Sequence, residues 1–170
     1  MKVFTLGYQG LGLDLYTETL TTAGVGVLID VRETPWSYNR RYIKSVLERT
    51  MVAAEIDYVH LRECGNPSAN RKSAVSVKDC LAKYRRYLRK NSDCLITLLD
   101  HVRIADDTGR PACLTCYERE PHDCHRSILL EFLAKADPSL EINHLRVLPE
   151  TPIRTASAQR LFSDTKAQLL

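Results

Sequence analysis

The sequence predicts an α/β fold: a mostly parallel sheet flanked by helices on both faces, a three-layer arrangement. Two runs carry the prediction. VGVLIDV, residues 25–31, is almost wholly apolar and β-branched with little polar alternation, as a strand buried on both faces requires. PACLTC, residues 111–116, is a second such run, and a helical pattern follows it after one short polar loop. Around these two, strand-like and helix-like stretches alternate along the chain, which is how a parallel sheet is wound.

Residues 2–6, KVFTL, form a first short strand closed by Gly7. Leu13, Tyr16 and Leu20 stand at helical spacing, and Gly24 ends that helix. Strand 25–31 follows, with Asp30 interrupting its apolar run and Arg32 just beyond. The next loop, ETPWSYNRR, is rich in aromatic and basic residues. Ile43, Val46 and Leu47 start a second helix, and residues 58–61 make a third strand. Segment 62–76, RECGNPSANRKSAVS, holds Gly, Pro, Ser and Asn without periodicity and reads as a mobile loop. Val77, Leu81, Tyr84 and Leu88 mark a third helix; Leu95, Leu98, Leu99 and Val102 mark a fourth. DDTGRP turns the chain into strand 111–116. Ile128, Leu129, Phe132 and Leu133 define the next helix, and 142–147 the last strand. One α/β domain over 1–150 accounts for these elements. Residues 151–170 form a weakly patterned tail, in which 156–169 has a helical reading.

With 44% hydrophobic and 26% charged residues, the chain has the composition of a folded domain rather than a disordered one. No apolar run reaches the ~18 residues a membrane span needs. The opening MKVFTLGY lacks the apolar core and cleavage site of a signal peptide, so the expected location is the cytoplasm. The six cysteines are then expected to be free thiols. A net charge of +3 permits an anionic partner without requiring one. Neither a cofactor nor a membrane partner is expected.

Chemistry concentrates where strands 25–31 and 111–116 end, the edge at which an open α/β sheet binds ligands. Asp30 and Arg32, two apart, share one strand face. They read either as an internal ion pair tying down the loop or as part of a site. Past the other strand stand Cys116, Glu118, His122, Asp123, Cys124, His125 and Arg126. Arg126 lies in the first turn of a helix, where a cation opposes the helix dipole, so an anion is expected beside it. Asp30, Arg32, Cys116, Glu118, His125 and Arg126 are expected to surround one concavity. Cys116, Glu118, His125 and Asp30 are its candidate catalytic groups. Arg126, Arg32, Ser37 and Arg40 are its candidates for holding an anionic ligand.

Several readings of these residues compete. Cys113 and Cys116 form C-x-x-C, but three residues apart on a strand they face opposite ways, so a redox pair is disfavoured and Cys113 reads as core. Cys116, His122, Cys124 and His125 are all possible zinc ligands. Their spacing is not that of paired ligands, and Arg126 would repel a dication, so no zinc is expected. Cys116 could instead be a nucleophile activated by His125. VLIDVRE resembles a rhodanese strand, and a Cys at a strand end before an Arg-Ser helix start resembles cysteine phosphatases. Here the segment from Cys116 to Arg126 is too long for a tight phosphate loop. Glu118 reads as a general acid or base, or as a partner of Arg126. Lys78, Lys83, Arg85, Arg86, Arg89 and Lys90 crowd the third helix, either as a solvated face or as a surface tracking nucleic-acid phosphates.

FTLGYQG, VLIDVRETPWS, IDYVHLRECGNP and CLTCYEREPHDCHRSILLEFL occur in that order, with HLRV at 144–147 after them. Together they resemble the domain of unknown function 488 proteins. The DVRxxPxS and CxE…CHRS pieces are the specific ones. The resemblance implies an α/β fold with the motif residues at one sheet edge: Asp30, Arg32, Pro35, Ser37, Cys116, Glu118, Cys124, His125 and Arg126. It brings no activity with it. ECGNP departs from the family's pattern in having Cys64 where an apolar residue is usual. The expected function is that of an enzyme acting on a small anionic, phosphate-bearing or nucleotide-like substrate. The alternatives are a nucleic-acid-binding or accessory module using the basic helix 78–90, and a rhodanese- or phosphatase-like cysteine enzyme.

Overall fold

The computed structural model describes residues 1–147; the boundary at 150 and the helical reading of 156–169 lie outside them. Strands are β1 (Lys2–Gly7), β2 (Val27–Asp30), β3 (Asp57–His60), β4 (Ala112–Cys116) and β5 (Glu141–His144). Helices are α1 (Leu13–Thr22), α2 (Lys44–Ala53), α3 (Ser68–Ser73), α4 (Val77–Lys90), α5 (Asp93–Asp107) and α6 (His125–Ala136). The strands form one sheet in the order β3-β2-β4-β1-β5, and every neighbouring pair is parallel. All five residues of β4 are buried, as the apolar run in its sequence requires.

The two sheet faces bury different helices. Val3, Ile29, Val31, Leu114 and Cys116 pack with Tyr84 and Leu88 of α4, Leu98 and Val102 of α5, and Leu129 and Leu133 of α6. Leu6, Leu28 and Cys113 pack with Tyr16 and Leu20 of α1 and Leu47 and Met51 of α2. Cys113 and Cys116 thus serve opposite layers, as their odd spacing on a strand dictates. A buried polar line through the second layer is satisfied: Tyr16 donates to Thr115 Oγ1 at 2.7 Å, and Thr115 donates to the Leu6 carbonyl at 3.0 Å.

Element ends are set by local chemistry. Ser76 caps α4 by accepting from the Asp79 amide, and Gly24 leaves α1 in the left-handed region at φ 70°. Segment 62–76 departs from the aperiodic loop expected of it. It contains a short turn at Arg62–Cys64 and then α3. Its anchors are tertiary: Tyr84 donates to the Cys64 carbonyl, and the Cys64 thiol donates to the Cys94 carbonyl at 3.3 Å. The last strand is also shorter than 142–147. Among the described residues it pairs only with β1, at the end of the strand order, and its register with β1 ends at His144 opposite Thr5.

This topology positions the site. After β2 the chain passes to α2 on one face; after β4 it passes to α6 on the other. The connections of these two adjacent strands therefore diverge, leaving a crevice at their carboxyl ends. No helix among the described residues is long and apolar enough to cross a membrane.

Candidate functional site

The crevice is a cavity of about 830 Å³. It is walled by the loop after β2, the turn after β1, and the loop from β4 to α6. Of the residues singled out in the sequence, Arg32, Ser37, Cys116, Glu118 and His125 line it. Asp30, Arg40 and Arg126 do not.

Asp30 is fully buried just behind the wall. Its carboxylate accepts from Arg32 Nε at 2.9 Å and Nη2 at 2.5 Å, and from Tyr58 Oη at 2.7 Å. Arg32 Nη1 also donates to Tyr8 Oη at 2.8 Å and to the Tyr42 carbonyl at 2.9 Å. The pair is the internal clamp that the strand spacing allowed, and its Arg32 is part of the cavity wall. Burial acts against the Arg32 charge, but the Asp30 hydrogen bonds and charge win and raise its pKa.

Arg126 differs from the expectation made for it. Its side chain is fully buried, and Nη2 donates to the backbone carbonyls of Glu118 at 2.9 Å and Arg119 at 3.3 Å. One corner of the guanidinium thus folds the β4–α6 loop, while Nε and Nη1 are buried without a hydrogen-bond partner among the described residues. Gly7 makes room for this: a Cβ there would lie 1.8 Å from the Glu118 carbonyl oxygen and 2.9 Å from Arg126 Nη1. Arg40 sits exposed in the turn before α2, outside the cavity.

The floor is a cluster. Cys116, at the end of β4, lies 3.2 Å from Glu118 Oε2 and 3.6 Å from His125 Nδ1. Cys124 lies 3.9 Å from the same nitrogen. His125 Nε2 is 2.8 Å from the Val31 carbonyl, which only accepts, so Nε2 carries the proton and Nδ1 faces the sulfurs. Tyr84 packs edge-on against the ring and holds its plane. The hydrogen bond from Cys124 and then the His125 charge hold the Cys116 thiol well below its usual range, against burial. Burial, then the hydrogen bond to Cys116, pushes the Cys124 thiol the other way, so the two sulfurs titrate together. Burial, then the negative charge of Cys116, raises Glu118. Burial favours neutral His125, but the Cys116 charge and hydrogen bond outweigh it and raise its pKa. Cys113, by contrast, is pushed up to about 12 by burial, against a lowering effect of the Arg126 charge. All six cysteines are free.

Several lining residues carried no individual signal in the sequence. Tyr8 stacks on Tyr42 at 4.2 Å and meets Tyr117 edge-on at 5.5 Å, forming one wall. Trp36 and Tyr38 pack at 4.7 Å at the mouth, where both are strongly exposed. The aromatic character of their loop was visible; its facing the cavity was not. Arg71, from the segment read as a loop, reaches the rim and pairs with Glu33 at 2.8 Å. Gly65 allows that approach, since a Cβ on it would fall 2.2 Å from the Glu33 amide.

No curated protein and no solved structure matches the chain. The family model for a domain of unknown function, DUF488, matches residues 13–133. That span runs from α1 into α6 and includes every element that supplies the cavity floor. The chain belongs to the DUF488 family.

Proposed function

We propose that the protein is an enzyme acting on a small nucleotide-like substrate, with a flat ring in the aromatic mouth and the reacting atom over Cys116, Glu118 and His125. The composition of one cavity carries this reading. Its walls are aromatic, and its floor gathers a thiol, a carboxylate and an imidazole. A volume of about 830 Å³ suits a ligand of mononucleotide size. Trp36 is 59% and Tyr38 93% exposed, so neither owes its place to the core. Exposed rings at a cavity mouth make a stacking platform, worth ~1–3 kcal/mol per base. Arg71 at the rim is half exposed and ion-paired only at the surface, so a phosphate can compete for it. Ser37 offers a hydroxyl beside the ring. Asp30 is a positioning residue that acts through Arg32.

Trp36 is the only tryptophan, so its fluorescence reports the mouth directly. Titration with the common nucleoside mono- and diphosphates should quench it saturably for at least one of them. By calorimetry, Trp36→Ala should weaken that ligand by roughly 5- to 160-fold, the stacking energy expressed as affinity. Glu118→Gln should retain binding while turnover is lost. The absence of a saturable response to every nucleotide in the panel would sink the reading.

A second reading rests on α4. Arg86, Arg89 and Lys90 are exposed and make no ion pair among the described residues, whereas Lys83 and Arg85 are paired with Asp79 and Glu131. A nucleic-acid contact there would weaken steeply with salt. Neutralising Arg86, Arg89 and Lys90 together should remove oligonucleotide binding in a filter assay and leave the Trp36 titration unchanged. Loss of nucleotide binding in that triple variant would transfer the function from the cavity to the helix.

A further inference from the structure

We propose that Cys116, Cys124, His125 and Glu118 bind one zinc ion at the floor of the cavity. One ligand atom from each lies within 4.8 Å of the other three. Zinc holds sulfur at ~2.3 Å and nitrogen or oxygen at ~2.0–2.2 Å, so tetrahedral ligands stand roughly 3.5–3.8 Å apart. The spacings of 3.6 Å and 3.9 Å from His125 Nδ1 to the two sulfurs match that figure, and 3.2 Å from Cys116 to Glu118 is close to it. They are within reach of ordinary thiol hydrogen bonds, and all three also fit the edges of one metal tetrahedron.

The surroundings fit the same assignment. His125 Nε2–H is anchored on the Val31 carbonyl, the outer contact that a metal-binding imidazole ordinarily has, and it turns Nδ1 toward the sulfurs. Cys124 is fully buried beside Cys116. A single nucleophilic cysteine needs one base and has no use for a second thiol against the same nitrogen; a metal needs both. Charge also closes. Two thiolates and one carboxylate are neutralised by a dication together with the buried guanidinium of Arg126, two residues on from Cys124. The objections raised by the sequence, unpaired ligand spacing and a repelling Arg126, therefore lose their force in three dimensions. A sulfur-rich set of this kind favours zinc over magnesium or calcium.

Cys124 lies outside the cavity lining, whereas Cys116, Glu118 and His125 face it. The two sulfurs and the imidazole form the anchored side. Glu118, on the loop and facing the cavity, is the exchangeable ligand. Its displacement would give the substrate of the preceding section access to the ion. That catalytic use rests on the nucleotide reading; the binding of the ion does not.

The test uses the full chain and no organic ligand. Protein from zinc-supplemented culture should contain one zinc per chain by elemental analysis. The metal-free protein titrated with Co²⁺ should give the thiolate-to-cobalt charge-transfer absorption and intense visible bands of a tetrahedral site. Cys124→Ser should lower the affinity by more than the roughly 10- to 100-fold typical of losing a supporting contact. Cys113→Ser, on the same strand but the opposite face, should leave the spectrum intact. If Cys124→Ser fails to fold, the wild-type protein still decides: zinc should protect Cys116 and Cys124 from iodoacetamide, read on their peptides. A weak octahedral cobalt spectrum, or alkylation unaffected by zinc, overturns the site. Zinc uptake without nucleotide binding would count against the proposed function alone; nucleotide binding without zinc uptake would count against this inference alone.

Discussion

Asp30→Ala should cost about 3–5 kcal/mol, the largest stability loss expected of any single change in the site, because it leaves a buried guanidinium without its counter-charge. Arg32 is 5% exposed and Asp30 is fully buried. The carboxylate accepts three side-chain contacts from Arg32, the Arg32 amide at 3.1 Å, and the Tyr58 hydroxyl. After substitution, Arg32 keeps only Tyr8 Oη and the Tyr42 carbonyl. Neither carries charge. Urea unfolding monitored by circular dichroism measures the loss, and the midpoint of thermal unfolding should fall by on the order of 10 °C. Asp30→Asn keeps the shape and part of the hydrogen bonding, so it should lose less. A change below about 1 kcal/mol in Asp30→Ala would mean that Arg32 finds water or another partner, and that the clamp is not what fixes the loop after β2.

Gly7→Ala should damage both stability and the site, through backbone rather than side chain. The new Cβ would stand 1.8 Å from the Glu118 carbonyl oxygen. That oxygen also accepts from Arg126, so the loop cannot retreat without breaking the contact that folds it. Forced repacking of this kind costs about 1–3 kcal/mol, and the lost hydrogen bond to a charged donor adds to it. The loop carries Glu118, so its distance from Cys116 should change as well. Metal uptake and nucleotide affinity, measured on protein shown by circular dichroism to be folded, should both fall. Gly12→Ala is the control: at φ −72° with nothing within 4 Å of a Cβ, it should lose no more than the ~1 kcal/mol that Ala costs at a helix N-cap. Equal behaviour of the two variants would show that the approach of the loop to β1 is not tight.

Much of the fold follows from local pattern. VLID and ACLTC lack polar alternation and become the two central neighbours β2 and β4. Leu13, Tyr16 and Leu20, or Tyr84 and Leu88, recur at helical spacing and are the residues their helices bury. Segment 62–76 was opaque for the opposite reason. Its order comes from Tyr84, Cys94 and Glu33, which are distant in sequence, so no local period reveals α3 or brings Arg71 to the rim.

The candidate site divides along the same line. Period-two geometry fixed that Asp30 and Arg32 share a face and that Cys113 and Cys116 do not, because a strand imposes those directions wherever it lies. Beyond Cys116 the chain leaves the strand, and direction is set by what the loop packs against. Gly7 and the two carbonyls near Glu118 draw Arg126 inward, away from the anion expected beside it. The Val31 carbonyl, from another strand end, turns His125 so that its free nitrogen meets two sulfurs eight residues apart in sequence. The sequence alone thus determined the layers and the sheet edge where chemistry gathers. Only the tertiary structure decided which of those side chains look into the cavity, because that depends on close backbone contacts between elements that no sequence period records.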